Sequence, residues 1–191
     1  MAAGRCFVHV AAPLGFDEVL DAGLLSQAER ERAARFAEPI DRDRFTTAAV
    51  LLRRALARHA GTEASEVVID RTCTDCGEPH GRPNVVAAAG WDASISHSGS
   101  VVAVAVTDAG RVGVDVEAID DERVIVGDVV NELVDVVCTP HERAAVHDHA
   151  ALLSVWCRKE AVLKATGEGL RRAMTELVGT APHAPAGLVA L

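Results

Sequence analysis

The chain has no run of about 18 apolar residues, and Arg5, His9 and Pro13 interrupt its opening stretch, so neither a membrane-spanning helix nor a signal-peptide core is present. On that pattern no helical membrane span and a cytoplasmic protein are expected. Positive charge is also short. Against 28 Asp and Glu stand 19 Lys and Arg, giving a net charge of −9 and a pI near 5.3, which argues against a general binder of nucleic acid or membrane surfaces. Lysine is scarcer still, because Lys159 and Lys164 are the only two in the chain and both fall on one predicted helix. Where arginine is the default cation, two ammonium groups kept together suggest a need for compact point charges. Five cysteines without a secretory pattern favour reduced thiols or a metal site over a disulfide framework. What remains is an ordinary folded chain: 191 residues, 49% apolar, mean hydropathy +0.17, enough for one domain or two small lobes.

The pattern predicts an opening strand over Cys6–Ala11, a helix capped by Ser26 and stopped by Pro39, and a longer helix from Asp41 to His59 ended by Gly61. Residues 67–69 read as a short strand leading into a polar, Gly- and Pro-rich loop over 71–83. Ser94–His97 reads as a strand end. Val101–Thr107 is expected to pair with Arg111–Glu117 through the turn at Asp108-Ala109-Gly110. Asp128–Val137 is helical, Thr139-Pro140-His141-Glu142 is a capping box, and a last helix from Ala150 to about Thr166 places Trp156, Glu160 and Lys164 on one stripe.

Val112 to Glu117 alternates valine with Gly113, Asp115 and Glu117, which sends the two carboxylates out on one side of an extended segment. Adjacent anions repel, and a shared proton, a basic neighbour or a bound cation relieves them. A hard divalent ion is the sharper reading, a solvated acidic strand end the plainer one. Glu160 would supply a third carboxylate, a set that suits magnesium, and Lys164 one turn on would reach a phosphoryl oxygen. As a pair on their own, Glu160 and Lys164 are also an ordinary surface i,i+4 contact. A faint internal repeat, with a shift of 111 residues, lays Glu31–Ala34 on Glu142–Ala145 and Phe45 on Trp156, which suggests two related lobes with a ligand cleft between them.

Val112–Glu117 followed by Trp156-Cys-Arg-Lys-Glu-Ala-Val-Leu-Lys164 resembles the paired signature of Sfp-type 4′-phosphopantetheinyl transferases, and Gly81-Arg-Pro83 and Ser94–Ser98 resemble the two motifs upstream of it. The resemblance runs over roughly residues 5 to 172. It implies an α+β fold of two similar lobes related by a pseudo-two-fold axis, here divided as 1–105 and 106–191, with the active site between them. It implies Mg2+-dependent transfer of phosphopantetheine from coenzyme A to a serine of an acyl or peptidyl carrier protein, with release of adenosine 3′,5′-bisphosphate. The alternative is a coenzyme A-binding protein of the same fold with weakened catalysis. By the same resemblance, Asp115, Glu117 and Glu160 hold the metal, and Glu160, Lys164, Asp115 and His97 carry the catalysis. Coenzyme A contacts are expected from Arg32, Arg44, Arg53, Arg82, Ser96, His97, Lys159 and Lys164. Taken alone, His97 would instead be a strand-end histidine bonded to backbone. The acidic character of carrier proteins predicts arginines beside the cleft.

Two features lie outside that pattern. Cys73, Cys76 and His80 have zinc-ligand spacing, but no second CxxC follows, and only Cys138 or Cys157 stands as a fourth ligand, so an unligated reduced loop is the expectation. After Gly169-Leu170 the likeness fades, and the remaining residues are too few for the second lobe's usual sheet, so that lobe is expected to be incomplete.

Overall fold

A computed structural model describes residues 4–86, 88–119 and 128–179. Its main sheet has three antiparallel strands in the order β1 (Cys6–Ala11), β5 (Val101–Thr107), β4 (Asp92–Ser98), while β2 (Ile69–Asp70) and β3 (Asn84–Val85) pair as a separate short ribbon. The sequence of β5 explains its central place. It is apolar on both sides, Val102 through Thr107 are all buried, and such a strand is covered on both faces. Val104 and Val106 pack on Leu52, Ala55 and Leu56 of the long helix α3 (Pro39–Ala60). Pro39 is the first residue of α3, where its missing N–H costs nothing, and Gly61 closes the helix at φ 72°. Helices α1 (Phe16–Asp21) and α2 (Gln27–Ala33) flank α3, and Val19 and Leu25 join Ala49 and Val50 in a second apolar cluster. α1 was not anticipated from the sequence.

The later part of the chain is helical among the described residues: α4 (Asp128–Val137), α5 (Pro140–Arg143) and α6 (His149–Thr166). Asp148 accepts the Ala151 N–H at 2.7 Å and Gly167 at φ 78° ends α6. Val137, Cys138, Leu152, Val155, Leu163, Met174 and Leu177 form the core here.

The expected hairpin between Val101–Thr107 and Arg111–Glu117 is corrected. A strand has two edges, and β1 and β4 occupy both edges of β5. The segment after the turn therefore folds over one face of β4 and is bound by side chains. Val112 N–H donates to Asp92 Oδ2 (2.7 Å), Val114 to Ser94 Oγ (3.1 Å), Val116 to Ser96 Oγ (3.3 Å) and Ala118 to Ser98 Oγ (3.0 Å). Opposite Ser94 and Ser96 in the sheet stand Ala105 and Ala103, small enough to let a backbone lie across them. On its other side the segment meets α6. A Cβ on Gly113 would come within 1.7 Å of the Ala161 carbonyl oxygen and 2.8 Å of the Ala165 nitrogen. Gly113→Ala is therefore expected to part the segment from α6, destabilising the protein by about 1–3 kcal/mol or more and displacing Asp115. A thermal melt with the wild-type midpoint would contradict this packing.

The pseudo-two-fold axis is not established: among the described residues no strand follows Thr107, and residues 180–191, on which the expectation of an incomplete second sheet bears, lie outside them. One device does recur. Glu29 and Glu142 each sit third in a short helix, close a capping box with Ser26 or Thr139, and bind a buried cation from the next long helix. Arg53 of α3 serves Glu29 and Lys159 of α6 serves Glu142. The spacing between these partners differs in the two halves, so a constant shift along the sequence does not reveal the device.

Candidate active site

An open cleft of about 1720 Å³ is lined by β4, the loop after β2, the segment over β4 and the exposed stripe of α6. Most pockets for small ligands hold roughly 300–1,000 Å³, so this one has room for an extended ligand. Trp156, Glu160 and Lys164 all line it, as their spacing predicts, and Asp115, Glu117, Ser96, His97, Arg32 and Arg82 line it too.

Lys164 stands at the centre. Its Nζ donates to Asp115 Oδ1 (2.6 Å), Ser96 Oγ (3.1 Å), the Val114 carbonyl (3.2 Å) and, at 3.4 Å, the Ile95 carbonyl. Ser96 in turn donates to Asp115 Oδ1 (2.8 Å), and Ser98 donates to Glu117 Oε2 (2.8 Å). The pegs that hold the segment over β4 thus also orient its two carboxylates. The Asp115 side chain is only 6% exposed, and its Oδ2 is buried with no hydrogen-bond partner. Glu160 is half-buried. Burial pushes its carboxyl up, and the charges of Asp115 and Glu117 add to this against the opposing pull of Lys164. The three carboxylates share the cleft but do not draw within 4.8 Å of one another as a group, as expected of like charges. Cys157, half-buried next to Asp115 and Glu117, has its thiol pushed up to about 12 by partial burial and by those carboxylates, so it is protonated at neutral pH.

His97 is at the exposed end of β4. Desolvation of its ring on the cleft side, and the nearby charges of Arg44 and Lys164, lower its pKa, so the imidazole is neutral at pH 7. Arg44 is held beside it by Asp41 (2.8 Å) and the Gly99 carbonyl (2.7 Å). Arg32 lies 4.9 Å over the Phe45 ring and donates to the Pro79 carbonyl (2.7 Å). Arg71, Arg111 and Arg171 also line the cleft.

Two expected ligand contacts, Lys159 and Arg53, are corrected. Lys159 is fully buried, and its ammonium donates to Glu142 Oε2 (2.6 Å) and to the carbonyls of Val137 (2.7 Å) and Met174 (2.9 Å). Five residues along a helix is a turn of about 140°, so Lys159 cannot share a face with Lys164. Arg53 is 5% exposed and turned inward to Glu29 and the Ala49 carbonyl. Arg82 borders the cleft but spends its guanidinium on Asp92 and on the carbonyls of Lys164 (2.8 Å) and Val112 (3.0 Å), clamping α6 and the segment to β4. Sequence reasoning missed Asp92, Ser94, Ser98 and Gly113. The polar residues at every second position of β4 were the available signal.

A concave site with acidic oxygens, one ammonium and a neutral imidazole is the equipment of a protein that handles phosphate esters. Sequence models of two families match the chain in succession, one described as 4′-phosphopantetheinyl transferase, N-terminal, over residues 16–109 and one as the 4′-phosphopantetheinyl transferase superfamily over residues 111–185. The chain belongs to the 4′-phosphopantetheinyl transferase family, of the Sfp type. The 4′-phosphopantetheinyl transferase psf-1 of Bacillus pumilus is 29% identical over 149 residues, covering 76% of this chain and 59% of that protein. The 4′-phosphopantetheinyl transferase HetI of Nostoc sp. is 28% identical over 176 residues, covering 87% of this chain and 70% of that protein. The chain therefore spans well under the full length of both relatives.

Proposed function

We propose that this chain is a holo-[carrier protein] synthase. It transfers 4′-phosphopantetheine from coenzyme A to a serine of an acyl or peptidyl carrier protein and releases adenosine 3′,5′-bisphosphate. The observation that carries the reading is Asp115 Oδ2, a buried carboxylate oxygen without a partner, beside Lys164 and in one cleft with Glu117 and Glu160. Buried polar atoms are almost always satisfied, so an orphan of this kind calls for a cation. The donors are hard oxygens, a set that fits Mg2+. Asp115, Glu117 and Glu160 would hold the ion, which when bound supplies charge neutralisation to the diphosphate.

The other residues supply alignment and proton handling. Lys164 presents positive charge where negative charge develops, and Ser96 fixes its direction. His97, neutral and exposed, hydrogen-bonds a phosphate oxygen. The serine oxygen forms a bond to the β-phosphorus, the bond from that phosphorus to the bridging oxygen breaks, and the bisphosphate leaves. Glu160 is the assigned acceptor of the serine proton, directly or through water.

Intact-mass measurement of an apo carrier protein incubated with the enzyme, coenzyme A and magnesium tests this. The expected result is a gain of one phosphopantetheine, lost on chelation and restored by magnesium. Unchanged mass with coenzyme A still bound would leave the weakened binder as the function, and unchanged mass without binding would remove both.

A further inference from the structure

Cys73, Cys76 and His80 belong to none of the chemistry above, yet their ligand atoms all lie within 4.8 Å of one another, the only such group of three among the described residues. The backbone explains the convergence. Cys73 N–H donates to the Glu78 carbonyl (2.8 Å), His80 N–H to the same carbonyl (2.9 Å), and Gly77, at φ 77°, donates to the Cys73 carbonyl (2.9 Å). The loop is also closed at its base, where Gly81 N–H donates to the Arg71 carbonyl and the Arg71 Nε returns a bond to the Gly81 carbonyl, both at 2.6 Å.

Nothing apolar holds this loop together. From Thr72 to His80 every residue is exposed or half-exposed, and a small unit without a core needs a covalent or metal staple to keep one conformation. We propose that Cys73, Cys76 and His80 bind one thiophilic divalent cation of the zinc class, with solvent completing the coordination. Cys138 lies buried in the helical core and Cys157 beside Asp115, so neither is the fourth ligand. Exposure of Cys76 and His80 leaves the fourth position open to water, the arrangement of three protein ligands plus solvent that zinc accepts. Cys76 Sγ and His80 Nε2 are 3.0 Å apart. Zn–S and Zn–N bonds of about 2.3 and 2.0–2.1 Å at a tetrahedral angle need about 3.6 Å, a separation that a small side-chain rotation provides.

The site would stiffen one wall of the cleft. The loop is tied to α2 through Arg32 and Pro79, and to the turn after α6 through Arg171 and Asp75 (2.8 Å). It is chemically distinct from the carboxylate cluster, and its test does not depend on transferase activity. The full chain, reduced and loaded with Zn2+ or Co2+, is passed over a desalting column and assayed for metal content and absorption. The expected result is about one ion per chain with thiolate-to-cobalt charge transfer and tetrahedral d–d bands. Cys76→Ser and His80→Ala, both at exposed positions, should lose the ion while keeping wild-type circular dichroism. Asp115→Asn should retain it. Three outcomes would overturn the proposal: less than about a tenth of an ion per chain, a cobalt spectrum unchanged in Cys76→Ser, or isolation of the chain metal-free with Cys73 and Cys76 joined as a disulfide.

Discussion

Lys164→Ala is expected to slow phosphopantetheine transfer by about 10²–10³-fold, measured in a single turnover with saturating coenzyme A and apo carrier protein. Four acceptors surround one nitrogen, so the position is shaped for a compact ammonium. Arginine keeps the charge but is planar and larger, and Lys164→Arg is expected to recover little of the rate. The alanine variant also leaves the almost fully buried Asp115 carboxylate with Ser96 as its one remaining donor, at a cost of about 1–3 kcal/mol. Stability and catalysis are separable: Lys164→Met combined with Asp115→Asn should restore most of the melting temperature and none of the rate. Transfer at the wild-type rate in Lys164→Ala would show that charge does not develop beside this side chain.

Lys159→Ala is expected to have the largest effect on stability. It strands the Glu142 carboxylate in a fully buried position, and breaking a buried pair from one side costs about 3–5 kcal/mol, a large part of the 5–15 kcal/mol typical of a whole domain. The melting temperature should fall by roughly 10 °C or more. Lys159→Met fills the space yet leaves the anion, so it should be nearly as unstable. The pH dependence has a definite sign. Burial pushes the Glu142 carboxyl up, but Lys159 and the N–H groups of Thr139 and Gly179 together outweigh it, and the net pKa lies below the ordinary 4.5. Its folded pKa is thus lower than its unfolded one. The stabilisation is complete above the unfolded value and is lost as pH falls through the folded value. In Lys159→Ala that acid-side slope should flatten. A variant with the wild-type melt and acid profile would mean that Lys159 does not support the fold.

Much of this was legible in the chain. The apolar spacing and caps located α3, α5 and α6, and the 3.6-residue period put Trp156, Glu160 and Lys164 on one stripe because that property is local. Alternation likewise sent Asp115 and Glu117 to the same side, although the segment is not a strand. What local pattern does not encode is which neighbour an element takes. The pairing of β5 with β1 and β4 joins residues far apart in sequence, and it displaced the hairpin that the turn at Asp108-Ala109-Gly110 suggested. The inward turns of Arg53 and Lys159 were hidden for the same reason, since each depends on where a distant glutamate lies. Counting ligands along the sequence pointed to an unligated cysteine loop, and the convergence of Cys73, Cys76 and His80 ligand atoms is visible only in space.

The hydroxyl ladder on β4 raises a question of indexing. Pegs that recur at every second residue would fit the overlying segment just as well after a slip of one peg, which would carry Asp115 about 6.6 Å along the strand and out of reach of Lys164. Gly113 removes that freedom: only a residue without a side chain fits against Ala161, so it acts as the key that permits a single setting. The location of the acidic pair along β4 is therefore decided by one hydrogen atom on the helix side, while the serines supply grip without choosing the notch.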